Sequence, residues 1–299
     1  MSTHGVMQTM RRFAIVMLAL LGLSLGALSW ADDNAAALKD KYDALAPQLK
    51  SNAFHRPIHL DSEETSNTLK GDIYAVVDYP FATVNSAFND PQQGPSNWCD
   101  VLILHLNTKY CRASVSGSGA TISMNVGKKT EQDISDTYRV QFNYRSVATS
   151  PDYFQVDLSA ATGPLSTKDY RIMLEAVDIG KGRTFLHLTY SYGFGTAGRL
   201  AMKTYLATIG SAKVGFSKGP DGDYIGGVRG LVERNTMRYY LAIDAYLGSL
   251  AAPADKRVDQ RFATWFDATE QYPRQLHELD RQAYLQMKKN EYQRQQTAQ

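Results

Sequence analysis

The sequence predicts an α+β fold: a curved antiparallel sheet of about seven strands around one long C-terminal helix, with extra helices at both ends. Three observations carry this. From about residue 108 to residue 194, apolar residues recur at every second position. The runs that carry them are joined by short turn-rich links, "TSPD", "TGPLSTKD" and "DIGKGR", which describe an antiparallel meander with one apolar face. After the last run comes "GGVRGLVERNTMRYYLAIDAYLGSL", about 24 residues with apolar side chains at helical spacing.

The elements follow in order. Arg11 and Arg12 precede a 16-residue apolar run, "FAIVMLALLGLSLGAL", and then Ser29, Trp30 and Ala31. A basic start, an apolar middle and a small-x-small end read as an export signal cleaved after Ala31. The run is short for a membrane span, which needs about 20 residues; an uncleaved N-terminal anchor is the alternative. Residues 32–70 form an N-terminal helical extension. In it "NAAALKDKYDALAPQLKSN" places Leu38, Tyr42, Leu45 and Leu49 on one helical face. His55 and His59 follow in "FHRPIHLDSEE", read as a loop because Pro57 interrupts any helix there.

The main domain is expected over 71–250. "GDIYAVVDYP" is a strand ending at Pro80, "FATVNSAFND" a short helix, and "NWCDVLILHLN" a second helix. Cys99 and Cys111 are the only cysteines, both in the exported part. In an oxidising compartment they read as one disulfide. Cys99 as a nucleophile with His105 as its base is the rival, but it has no orienting third group. In the strands, Ile122, Met124 and Val126 share one face, as do Tyr138, Val140, Phe142 and Tyr144, and then Phe154, Val156 and Leu158. In the last strand Leu186, Leu188, Tyr190, Tyr192 and Phe194 oppose Phe185, His187, Thr189 and Ser191. A helix "RLAMKTYLATIG" and a glycine-rich loop lead to the long helix. Its stripe of Val228, Leu231, Val232, Asn235, Tyr239, Ala242, Ile243, Tyr246 and Leu250 is broken by one amide and bordered by Arg234 and Arg238. Residues 251–299 are a helical tail broken at Pro273.

Gly193, Gly195 and Gly198 spell G-x-G-x-x-G before a helix. A dinucleotide turn needs a doubly buried parallel strand before the glycines and an acid ending a second strand about 20 residues on. The strand here alternates, and "GSAKVGFSKGPDGDYIGG" follows the helix. No cofactor and no metal is therefore expected. Removing residues 1–31 leaves 30 basic and 30 acidic residues. That balance argues against a nucleic-acid partner.

One strand, two short helices, a run of about six antiparallel strands and a long apolar-faced helix resemble the START-like (SRPBCC, Bet v 1-like) helix-grip superfamily. "DIYAVVDYPFATVNSAFND" resembles its strand–Pro–helix entry. The resemblance covers roughly 71–250 and implies a hydrophobic or amphipathic ligand, such as a lipid, held between sheet and helix. The residues expected at that ligand are Phe142, Tyr144, Leu186, Leu188, Tyr190, Tyr192, Asn235, Arg238 and Tyr239. Asn235 would orient the ligand and Arg238 would meet an acidic head group. The leading expectation is a periplasmic carrier without chemistry. A cyclase or hydrolase on the same fold is the alternative, although no positioned acid–base pair emerges, since His187 falls on the opposite face and Glu233 off the main stripe. A third reading is a cell-envelope protein, or one touching the membrane peripherally, that acts through its terminal helices.

Overall fold

The structure is a computed structural model, and it describes residues 31–117, 119–196, 198–200, 204 and 213–297. The expected signal segment, and most of the helix expected at 199–210, lie outside the described residues. Eight strands form one antiparallel sheet: β1 (Ile58–Glu64), β2 (Thr68–Val77), β3 (Thr108–Ser116), β4 (Gly119–Val126), β5 (Tyr138–Ser150), β6 (Tyr153–Thr162), β7 (Thr167–Asp178) and β8 (Thr184–Phe194). Their order is β1-β2-β8-β7-β6-β5-β4-β3. The meander from β3 to β8 is as expected. The additional strand is β1, formed by residues whose proline and polar character read as a loop. It pairs in unbroken register with β2, Ile58 against Ala75 through Glu64 against Leu69.

The sheet curves round one long helix in the helix-grip arrangement. Helix α1 covers residues 31–50, followed by α2 (Phe81–Phe88), α3 (Gly94–Leu102), α4 (Gly227–Ser249), α5 (Arg257–Thr269), α6 (Pro273–Leu276) and α7 (Arg281–Thr297). On the face of the sheet away from α4, Ala35, Leu38, Leu45 and Leu49 of α1 bury Tyr153, Val177 and Phe185 in a cluster separate from the main core. The spacing read from sequence thus identifies the packed face of α1, and it explains why both faces of β8 are buried.

On the gripped face, α4 lies against β1, β2 and β8. Gly71 in β2 permits this approach, because a Cβ there would collide with Thr236 Oγ1. The helix is buried on its far side as well. There Glu233, Arg234 and Arg238 are at most 1% exposed: Glu233 accepts from Ser62 of β1 and from the Phe216 and Ser217 N–H groups, Arg234 donates to Val214 O, and Arg238 lies against the tail formed by α5, α6 and α7. The apolar stripe of α4 therefore marks only the half that meets the sheet.

Helix α3 ends at Leu102, before the expected end of the "NWCDVLILHLN" run. The residues after it form tight turns, Leu104 N–H donating to Val101 O and His105 N–H to Leu102 O. Cys99 in α3 is bonded to Cys111 in β3, with the Cα atoms 5.3 Å apart. Closing so short a loop stabilises the fold by about 3 kcal/mol in the chain-entropy model. It also removes Cys99 as a nucleophile. The glycine run ends against the β6–β7 connection: a Cβ on Gly198 would sit 3.2 Å from the carbonyl oxygens of Leu165 and Ser166.

Candidate functional site

The groove between sheet and α4 is filled at one end and open at the other. At the filled end, Leu186 and Leu188 of β8 stand beside Ala75 and Ile73 of β2 and are 1% exposed. Aromatic pairs close this end: Phe81 with Phe154 at 5.9 Å, Phe88 with Trp98 at 5.3 Å and Phe88 with Tyr246 at 5.6 Å. The Tyr144 hydroxyl donates to Phe88 O at 2.9 Å and so ties β5 to α2.

At the other end lies a cavity of about 170 Å³. Phe142, Tyr190, Tyr192, Asn235 and Tyr239 line it, together with His105 and Asn107 from the α3–β3 turn, Thr108 at the start of β3, and Met124, Val126 and Val140 from β4 and β5. Leu231 of α4, Tyr170 of β7 and the β6–β7 connection at Pro164 and Leu165 complete the wall. Leu165 is 62% exposed and adopts left-handed backbone, φ 57 and ψ 35. Such a conformation is strained for a leucine, and it places a large apolar side chain at the rim.

The structure thus brings five of the nine expected ligand residues to one cavity. Tyr144, Leu186 and Leu188 are in the filled end instead. Arg238 does not line the cavity either. It is 1% exposed and points to the tail, where Nη2 donates to Glu278 Oε1 at 2.9 Å and Leu276 O at 3.2 Å. The expected head-group cation therefore ties α4 to the tail.

Sequence reasoning did not place His105 at the ligand. Its Nδ1 accepts the Asn107 N–H at 3.2 Å, which leaves the proton of the neutral ring on Nε2. The ring stacks on Tyr239, with centroids 5.1 Å apart. Nε2 is buried with no hydrogen-bond partner among the described residues, and an orphaned buried donor costs about 1–3 kcal/mol. Burial pushes the His105 pKa well below its ordinary value, and the charges of Arg238, Lys288 and Lys129 push in the same direction. Asn235 stands near enough to oppose part of that fall, yet no bond of normal geometry reaches Nε2. His105 is accordingly neutral at physiological pH. Burial likewise raises the pKa values of Tyr190, Tyr192 and Tyr239, so their hydroxyls stay protonated.

The tail positions this histidine. Lys288 Nζ donates to His105 O at 2.7 Å, to Thr108 O at 2.9 Å and to Glu291 Oε2 at 2.7 Å. Lys109 Nζ donates to Glu291 Oε1 at 2.9 Å, and the Tyr284 hydroxyl donates to Leu104 O at 3.0 Å. Burial pulls Lys288 down to about 8 although Glu291 opposes it. The apolar string "VLILHL" held the signal for His105: a lone imidazole in such a run must find partners or face a void.

On the opposite face His187 is held between two carboxylates, Nδ1 at 2.6 Å from Glu175 Oε1 and Nε2 at 2.9 Å from Asp72 Oδ1. Tyr74 stacks on its ring at 4.1 Å. Among the described residues, no group of His, Cys, Asp and Glu side chains is arranged to hold a metal ion. No described helix is long and apolar enough to cross a membrane.

No family model and no curated protein matches this sequence. Solved structures match loosely. Norcoclaurine synthase from Thalictrum flavum overlays with a TM-score of 0.32 at 13% identity, covering 50% of this chain and 91% of that one. The Zhui aromatase/cyclase from Streptomyces sp. R1128 gives 0.33 at 15% identity, covering 67% and 96%. Human StAR-related lipid transfer protein 5 gives 0.34 at 9% identity, covering 78% and 98%. At such scores no residue of theirs is carried onto this chain, and the helix-grip description rests on the sheet order and α4.

Proposed function

We propose that this is an exported ligand-binding protein that holds a small, mostly apolar molecule in the cavity between the sheet and α4. The observation that carries the reading is the cavity itself, with aromatic and aliphatic walls and a few polar groups, the usual composition of a small-molecule site. Its volume narrows the ligand. Cavities of about 150 Å³ accept a single aromatic ring, whereas drug-sized sites span about 300–1,000 Å³. A ring-sized molecule fits, and of a lipid only a terminal segment would enter. Export is supported by the signal-like N-terminus together with the Cys99–Cys111 bond. The envelope-partner reading has less support, since α1 and the tail bury their apolar faces on the domain itself.

The test is native mass spectrometry of protein purified from the periplasm, beside the variant Leu231→Trp. A small adduct present in the wild type and absent in the variant is the expected result. No adduct, with no saturable binding of any small aromatic probe, would refute the reading.

One observation favours the enzyme alternative as a second reading. A neutral histidine stands among protonated tyrosines in the cavity, and such groups can exchange protons with a bound molecule. Conversion of a bound ligand, lost in His105→Gln while binding persists, would establish it.

A further inference from the structure

We infer that the ligand of this cavity is a small carboxylic acid carrying one ring, bound as its anion with a carboxylate oxygen on His105 Nε2–H; this rests on the cavity being a binding site. The first ground is the orphaned donor. His105 is 4% exposed, lines the cavity, and has its Nδ1 already engaged by the Asn107 N–H. Nε2 has no hydrogen-bond partner among the described residues, so a ligand acceptor would satisfy it without breaking any bond found there.

The second ground is the charge around the ring. Glu278 is shared by Arg238, Lys129 and Lys213. Glu291 is shared by Lys109 and Lys288. Five cations thus meet two carboxylates in the layer beside and behind His105. The depressed pKa of His105, with Arg238, Lys288 and Lys129 among its causes, reports that positive field at the imidazole. A field that opposes a proton on His105 favours an anion next to it. The third ground is the rest of the lining, to which Phe142, Val140, Met124 and Leu231 contribute apolar surface. A molecule with one charged end and one flat apolar end matches such a lining. A phosphate does not, because among the described residues no arginine or lysine lines the cavity to offset its greater dehydration.

The experiment titrates the full exported chain at pH 7 with benzoate and, separately, toluene, followed by the ring signals of the cavity tyrosines in NMR. Wild type is expected to bind benzoate at least tenfold more tightly than toluene. His105→Phe keeps the stacked ring and removes the donor, so benzoate should fall to parity with toluene. His105→Gln restores a donor and should recover part of the preference. If toluene saturates and benzoate shows no preference, or if His105→Phe leaves the preference intact, the carboxylate assignment is overturned while the cavity reading stands. If neither probe saturates, the cavity reading itself falls.

Discussion

His187 and His105 are both almost fully enclosed, yet their environments drive them in opposite directions. Burial pushes His187 down too, but hydrogen bonds to Asp72 and Glu175 outweigh it and its pKa rises. In return Asp72, which burial alone would raise, is lowered by bonds from His187, Thr189 and Lys70. His105 has one backbone partner and cations around it, and its pKa falls. The difference lies in the partners and not in depth. Under α1 the protein has completed its polar network, so that region is structural. At the cavity the network is left one acceptor short, which is what a binding site requires and a core does not.

The strongest way to break this comparison is to remove each ring. His187→Ala would leave Glu175 without its histidine and Asp72 with only Lys70 and Thr189, and losing one partner of a buried pair costs about 3–5 kcal/mol. His105→Phe keeps the stack on Tyr239 and removes one unsatisfied donor, but it strips the Asn107 N–H of its acceptor; the two effects oppose each other, and stability should change by less than about 1 kcal/mol. Urea unfolding of the two variants measures both numbers. Equal losses would mean that His105 is as structural as His187.

A second test compares the two ends of the groove. Leu188→Trp adds volume where the core is closed and should cost about 1–3 kcal/mol. Leu231→Trp adds the same ring beside a void of about 170 Å³ and should cost less than about 1 kcal/mol. Thermal melting separates them, and a larger loss at Leu231 would show that the open end is already filled in solution.

Much of the fold was legible because alternation and helical spacing are local. The faces of β8 follow from "TFLHLTYSY" alone, and the packed face of α1 follows from Leu38, Leu45 and Leu49. What escaped depended on distant partners. Strand β1 has polar residues and a preceding proline, and it becomes a strand only because β2 offers it a register. Arg238 reads as a border cation until Glu278, forty residues on, covers it. At the candidate site, the row from Leu186 to Phe194 looks uniform in sequence. Phe88, Trp98 and Phe154, from three other elements, help to close its Leu186 end, so where the cavity begins was not readable along the row. His105 was hidden within a string that reads as continuous helix.

The smallest expected effect is on pH dependence, where the two histidines should oppose each other. For His187 the folded-state pKa lies above the ordinary value near 6.5. Its contribution is therefore complete below about 6.5 and lost as pH rises through the folded value. For His105 the folded-state pKa lies well below 6.5. As pH falls under about 6.5 the unfolded chain takes up a proton that the folded chain refuses, and stability declines by up to about 1.4 kcal/mol per pH unit. Lys129 and Lys288, both lowered to about 8 by burial, stay protonated in both states below that value and contribute little slope between pH 5.5 and 7. Loss of the stabilisation from Asp72 and Glu278 begins near pH 4, below this window. The unfolding free energy should accordingly pass through a maximum near pH 6.5. His105→Phe should flatten the acid limb alone and His187→Gln the alkaline limb alone. A profile in which His105→Phe alters the alkaline limb would show that the imidazole is charged in the folded protein, and would remove the basis for treating it as a neutral donor in the cavity.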